Sequence, residues 1–218
     1  MSGSSGARLG RFLGKAVEVA WAAKLAKRSG VLPSISVRGI ARFALDSRRA
    51  RLGPHLATLF HARSAPHKLA LAEGERRRTY SDLDSEINQL GRALHDLGVD
   101  AGDRIGLMLP NCIEHLVALV AAPRIGAAAV EIGNRLKANE VAYILSHAQP
   151  KVLIYHSDYE PTIAAAVEQS LELPDRFLLR VETRDRGYPD QVYDYKGDSP
   201  PAVGHSDEDT DGGLIVYT

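Results

Sequence analysis

Residues 97–114, LGVDAGDRIGLMLPNCIE, contain the end of one helix, a strand and the start of a second helix. Gly98 stands where a left-handed residue closes an amphipathic helix. Arg104–Leu109 is short and almost wholly apolar, which is typical of a strand buried on both faces. Asn111, three residues before Glu114, is typical of a helix start. This succession predicts an α/β fold.

The same alternation continues on both sides of this stretch. Upstream, Lys68–Ala72 and Arg76–Tyr80 predict a β-hairpin, and Ser81–Leu97 predicts a helix capped by Ser81 and Asp84. Downstream, predicted strands and helices follow one another at Ile113–Ile125, Ala128–Ile132, Ala138–His147, Lys151–Tyr155, Pro161–Leu171 and Phe177–Val181. We therefore expect a mainly parallel sheet flanked by helices.

Charge is distributed unevenly along the 218 residues, although 27 basic and 27 acidic side chains give a net charge of zero. Residues 1–63 carry a net charge of +10, and the remainder carries −10. Residues 182–211 are acidic and proline-containing, which is typical of a surface loop, and Gly213–Tyr217 predicts a buried strand. The sequence thus predicts a basic helical extension (1–63), an α/β part (64–181) and an acidic loop with a terminal strand (182–218).

The basic extension has two interpretations. Residues 7–28 predict a helix whose basic side chains would attract anionic lipid while Phe12 and Leu13 enter the headgroup region. The helix could instead pack against the protein body or an oligomeric partner. The longest uninterrupted apolar run, Leu116–Ala122, is far shorter than the roughly 20 residues that span a bilayer, and no secretory signal is evident. We expect a cytoplasmic protein, either free or peripheral to a membrane.

The titratable residues predict neither a metal site nor a catalytic residue. A single cysteine excludes a disulfide framework and a multi-cysteine zinc site, and the eight histidines show no ligand spacing. Cys112 lies at a predicted helix start, which can lower a thiol pKa, but a packed thiol is favoured because no histidine partner is indicated. The run Arg76–Arg78 is interpreted as solvated, so no nucleic-acid partner is predicted.

Six ordered blocks resemble the N-terminal part of the adenylate-forming enzymes, a family that includes acyl-CoA synthetases, luciferases and peptide-synthetase adenylation domains. They are RTYSDL (78–83), LGVDAGDRI (97–105), LPNCIE (109–114), RIGA (124–127), NRL (134–136) with EVAYIL (140–145), and KVLI (151–154). Two positions depart from the family pattern. Glu131 and Gly133 occur where a proline-containing V-P-(I/L)-N is common, and Lys137–Asn139 lacks the usual Thr-Pro helix start.

The resemblance implies a long-chain or very-long-chain fatty acid–CoA ligase that uses ATP, Mg²⁺ and CoA and acts on a fatty or other carboxylic acid. It also implies that Tyr217 and Thr218 are the first positions of the phosphate loop for ATP, and that the chain is an incomplete N-terminal domain. The family's further phosphate-binding, metal-binding and catalytic residues have no counterpart in residues 1–218, so we expect this chain alone to be inactive. The alternative is a non-catalytic α/β module that docks on a membrane or protein through its basic helices.

Overall fold

The computed structural model describes residue 43 and residues 55–170, 178–182, 187–189, 192 and 213–217. The predicted basic helices of the extension, most of the predicted acidic loop, and Thr218 lie outside the described residues.

A five-stranded parallel sheet forms the centre of the fold, as predicted. Its strand order is β6-β5-β3-β4-β7, and each neighbouring pair is parallel. A separate antiparallel hairpin, β1–β2, lies where the sequence predicts one. The strands are β1 (Leu69–Glu73), β2 (Arg76–Thr79), β3 (Arg104–Met108), β4 (Ala128–Glu131), β5 (Val152–His156), β6 (Leu178–Val181) and β7 (Leu214–Val216).

Helices cover both faces of this sheet. The described α-helices are α1 (Leu56–Ser64), α2 (Tyr80–Asp96), α3 (Ile113–Arg124), α4 (Ala138–Ala148) and α5 (Glu160–Gln169), with a 3₁₀ turn at Ser157–Tyr159. Side chains alternate across a strand, so Leu107 packs with α2 and α3 while Met108 packs with α4 and α5. Both faces are therefore buried, which explains the nearly continuous apolar strands.

The N-cap of α2 lies two residues before the predicted cap, Ser81. It is Thr79, whose side chain accepts from the backbone N–H of Asp82 (3.2 Å), while the Asp82 carboxylate accepts from the Thr79 N–H (2.9 Å). The Ser81–Asp84 cap was wrong because Asp84 turns into the protein interior instead. At the other end, Gly98 has φ 84°, which confirms the predicted left-handed residue.

A buried polar network joins α1, α2 and α3. Arg124, which is fully buried, donates to Asp84 Oδ1 (2.6 Å) and Asn88 Oδ1 (2.9 Å) on α2 and to Thr58 Oγ1 (3.1 Å) on α1. Arg63 of α1 donates to the second oxygen of Asp84 at 2.9 Å. Because a buried charge is tolerated only when it is paired and hydrogen-bonded, this network fixes α1 against the sheet-bearing part of the chain.

Strand β7 confirms the predicted strand at Gly213–Tyr217 but not its predicted burial. Leu214, Ile215 and Val216 are 57%, 37% and 60% exposed. Within the described residues β7 pairs only with β4, at the edge of the sheet.

None of the described helices combines the length and apolar character needed to cross a bilayer.

Candidate functional site

Ligands of open α/β sheets bind at the carboxyl ends of the strands, where neighbouring strands are followed by helices on opposite faces. Strand β3 meets this condition. It is followed by α3 on one face, whereas β4 and β5, which flank it, are followed by α4 and α5 on the other face. The candidate site therefore lies where β3 ends and α3 begins.

A surface cleft of about 300 Å³ lies at this position, between strand β1 and helix α3. Its lining combines apolar side chains with polar side chains from β1, from the residues that follow β3 and from α3. The lining residues are Leu71, Ala72, Glu73, Asn111, Cys112, Ile113, His115, Leu116 and Leu119.

The start of α3 is held by the hairpin. The carboxylate of Glu73 on β1 accepts from the backbone N–H of Ile113 at 3.0 Å, whereas the N-cap residue Cys112 makes no side-chain cap bond. The predicted pairing of Asn111 with Glu114 as a cap was therefore wrong. The Glu73 carboxylate thus accepts a hydrogen bond from an N–H at the start of α3 that has no acceptor within the helix, and its negative charge is stabilised by the positive end of the helix dipole.

Glu114 joins three separate parts of the chain. It is 2% exposed, and its carboxylate pairs with Arg76 of β2. The hydrogen bond to Glu114 raises the pKa of Arg76 above its usual value. Tyr188, also buried, donates its hydroxyl to the Glu114 carbonyl at 2.5 Å, and a Cβ added to Gly187 would overlap the Glu114 carboxylate. The segment containing Gly187 is thus fitted tightly against the start of α3.

The arginine run on the hairpin is less solvated than predicted. Arg78 donates to Glu86 on α2 at 2.5 Å, and both side chains are largely shielded from solvent. Burial raises the pKa of Glu86, and the hydrogen bond from Arg78 opposes that rise. Among the three arginines, only Arg77 is exposed. The run serves to attach the hairpin, because Arg76 and Arg78 each pair with a helix carboxylate.

Cys112 is a packed thiol, as favoured from the sequence. Burial raises its pKa to about 11, and the backbone N–H of His115 opposes that shift only in part. Since the thiolate is the reactive form, this raised pKa disfavours Cys112 as a nucleophile at neutral pH.

The charged residue at the end of β4, Glu131, has a hydrogen-bond partner in His115. The Nε2 atom of His115 lies 2.9 Å and 3.0 Å from the two carboxylate oxygens of Glu131. Glu131 is one of the residues that depart from the resembled pattern, so the structure supplies it with a partner from α3. Both side chains are partly exposed at the carboxyl end of the sheet.

Tyr217, predicted as the first position of a phosphate loop, comes directly after β7. Its hydroxyl is 2.7 Å from Nδ1 of His147 on α4, and its ring meets the His147 ring edge-on, with centroids 5.8 Å apart. The ring of Tyr143, one helical turn earlier, stacks with the ring of His147 at an interplanar angle of 7°. Thr218, the second predicted position, lies outside the described residues.

Sequence reasoning missed the roles of His147 and Glu114. The spacing of Tyr143 and His147 placed them on one face of a helix, but nothing local indicated a partner 70 residues away. The family-like motif drew attention to Glu114 only as a cap.

The described residues do not by themselves fit ATP and Mg²⁺. Among them, no group of three histidine, cysteine, aspartate or glutamate side chains is placed to hold a metal ion. The 218-residue sequence also contains no Ser-Gly-Thr-Thr-Gly stretch, which the resembled phosphate loop would require.

Comparison with known proteins gives one family over most of the chain. The sequence model described as AMP-binding enzyme matches residues 60–218. The long-chain-fatty-acid–CoA ligase FadD13 of Mycobacterium tuberculosis is 38% identical over 94 residues, which is 43% of this chain and 19% of that protein. The long-chain-fatty-acid–CoA ligase of Thermus thermophilus is 33% identical over 132 residues, which is 61% of this chain and 24% of that protein.

The fold also has solved counterparts. The inhibitor-bound N-terminal domain of FACL13 from Mycobacterium tuberculosis superposes with a TM-score of 0.57 at 28% identity. The match covers 70% of this chain and 38% of that one. The chain thus spans about a quarter or less of the length of the curated relatives named above.

Proposed function

Because the chain belongs to the family of AMP-binding enzymes, we propose that it forms the N-terminal part of an ATP-dependent fatty acid–CoA ligase. The proposed reaction class is carboxylate adenylation followed by thioester formation. The proposed substrates are a fatty acid, ATP with Mg²⁺, and CoA.

The observation that carries this proposal is the family match over residues 60–218, together with two relatives that are described as long-chain-fatty-acid–CoA ligases. The position of Tyr217 supports it. The chain leaves the parallel sheet there at the carboxyl end of β7, which is the side of an α/β sheet where nucleotides bind.

The 218-residue polypeptide is proposed to be inactive alone. Transfer at a phosphate requires backbone N–H donors and cations around the charge that develops on the leaving group. The described residues do not supply this set. We expect no fatty-acid-dependent exchange between ATP and labelled pyrophosphate, with a complete fatty acid–CoA ligase as the positive control. Exchange above background would contradict inactivity.

A second experiment tests the ligase function itself. If the reading frame continues beyond Thr218 with Ser-Gly-Thr-Thr-Gly, the continued polypeptide is expected to form AMP and acyl-CoA from ATP, CoA and a fatty acid. Absence of both products with short-, medium- and long-chain acids, from a folded protein, would refute the proposal.

The alternative is a non-catalytic module that docks through its basic residues. The +10 net charge of residues 1–63 supports it, because basic segments bind anionic lipid surfaces. The measurement is flotation of the whole chain with phosphatidylcholine vesicles, with and without phosphatidylserine, at low and high salt. The alternative requires binding that depends on phosphatidylserine and weakens in salt. Flotation that responds to neither phosphatidylserine nor salt would refute docking on lipid through the basic residues.

A further inference from the structure

Three aromatic side chains meet where the chain leaves the sheet. Tyr217 contacts His147 through both a hydroxyl-to-Nδ1 hydrogen bond of 2.7 Å and an edge-on ring contact. Tyr143 stacks on His147 from the same helix. We call Tyr143, His147 and Tyr217 the aromatic clamp. It joins α4 to the end of β7 across 70 residues of sequence.

The contacts of strand β7 do little to hold its C-terminal end in place. The strand has only three residues, and its described ladder is made with β4 on one side. Its side chains are largely exposed. A short edge strand with few buried contacts opens easily, so the direction of the chain after Val216 must be fixed by another contact. Within the described residues, Tyr217 is the residue beyond β7 that packs into the apolar cluster beneath α4.

We infer that His147 is a positioning residue, which fixes Tyr217 and thereby the direction in which the backbone leaves β7 toward bound phosphate. This inference rests on the proposed function, since it assigns to Tyr217 the first position of the phosphate-binding backbone. Backbone N–H donors stabilise a phosphate only when they are held in place beforehand. The hydrogen bond itself is exposed to solvent, but it ties the strand end to α4, whose inner face is buried in the apolar cluster.

Amide hydrogen exchange of the whole chain tests the restraint without any need for activity. Tyr217→Phe removes only the hydroxyl, and His147→Leu removes the ring nitrogen; each is expected to speed exchange across residues 214–217 about three- to tenfold. His147→Asn, which can present an oxygen near the position of Nδ1, should recover most of the protection. His95→Asn is the matched control, because His95 is also an exposed histidine in the last turn of its helix.

A spectroscopic measurement separates positioning from general packing. The ¹⁵N chemical shift of His147 Nδ1 is expected to change in Tyr217→Phe, because the hydroxyl contact is lost while the ring remains. Unchanged exchange in both Tyr217→Phe and His147→Leu, or an unchanged Nδ1 shift in Tyr217→Phe, would overturn the inference. Neither readout depends on ATP turnover, so failure of the ligase function would leave these results, and the role of His147 in holding Tyr217, intact.

Discussion

Removing the Asp84 carboxylate is predicted to destabilise the chain severely. Asp84 is 2% exposed and accepts hydrogen bonds from Arg124 and Arg63. In Asp84→Ala, Arg124 keeps its acceptors Asn88 and Thr58 but loses the carboxylate that balances its charge. Arg124 is fully buried, so it cannot regain water without disrupting the packing of α2 and α3.

The expected cost follows from this geometry. Breaking a buried ion pair by removal of one partner costs about 3–5 kcal/mol. That cost is a large fraction of the roughly 5–15 kcal/mol that stabilises a typical domain. Asp84→Asn keeps an acceptor for Arg124 without the charge and should cost less. The double variant Asp84→Ala/Arg124→Met removes the Asp84 carboxylate and the fully buried Arg124 guanidinium, and it should recover part of the loss, because an apolar replacement for a buried pair is often neutral. The recovery should be incomplete, because Arg63 also loses the Asp84 carboxylate.

Urea unfolding followed by circular dichroism measures these differences. With a slope of about 2 kcal/mol per molar urea, Asp84→Ala should lower the midpoint by about 2 M. Arg180→Gln is the matched control, since Arg180 pairs with Glu160 at 2.8 Å but both side chains are about half exposed; it should cost less than about 1 kcal/mol. If Asp84→Ala cost no more than this control, or if the double variant were as unstable as the single one, the reasoning would be refuted.

Three further predictions concern the candidate site. Gly187→Ala should destabilise the chain by roughly 2–4 kcal/mol, because φ is 89° and the new Cβ would displace Glu114. Midpoints of urea unfolding measure this difference. Gly74→Ala is the control, because a Cβ at Gly74 meets no atom within 4 Å. Cys112, with a pKa of about 11, should be ionised to about one part in a thousand at pH 8 and alkylate at least about tenfold more slowly than an ordinary thiol, even though a thiolate of higher pKa is intrinsically more nucleophilic. Mass spectrometry of iodoacetamide labelling measures this, and labelling as fast as that of free cysteine would contradict the raised pKa. A double-mutant cycle of His115→Gln and Glu131→Gln should give a coupling of about 0.2–1 kcal/mol, because the pair is partly exposed; a coupling above about 2 kcal/mol would contradict a partly solvated pair.

The sheet and its helices could be predicted because their signals are local. Apolar runs of strand length alternate with helical periodicity, and turn residues such as Gly98 mark the boundaries. These signals gave the hairpin, the parallel character of the sheet and the existence of β7. The same signals did not predict that β7 is exposed, because the sequence pattern of an apolar strand is the same whether or not other elements cover the strand.

The candidate site depends on contacts between distant residues, which no local signal predicts. The Ser-x-x-Asp pattern at Ser81 and the Thr-x-x-Asp pattern at Thr79 are both acceptable caps; the choice between them was made by Arg124, 40 residues beyond Asp84. In the same way, Glu73 competes for the start of α3 from a different strand. Such long-range competition for buried polar groups, rather than helix propensity, is why the predicted caps failed.

The departures from the family pattern show that geometry can be retained while residue identity changes. Glu131 introduces a charge at the end of β4, but His115 lies against both of its oxygens, so the strand end stays in place. Lys137 lacks the usual threonine, yet its backbone N–H is accepted by Glu140 at 2.8 Å, and α4 still begins at the next residue.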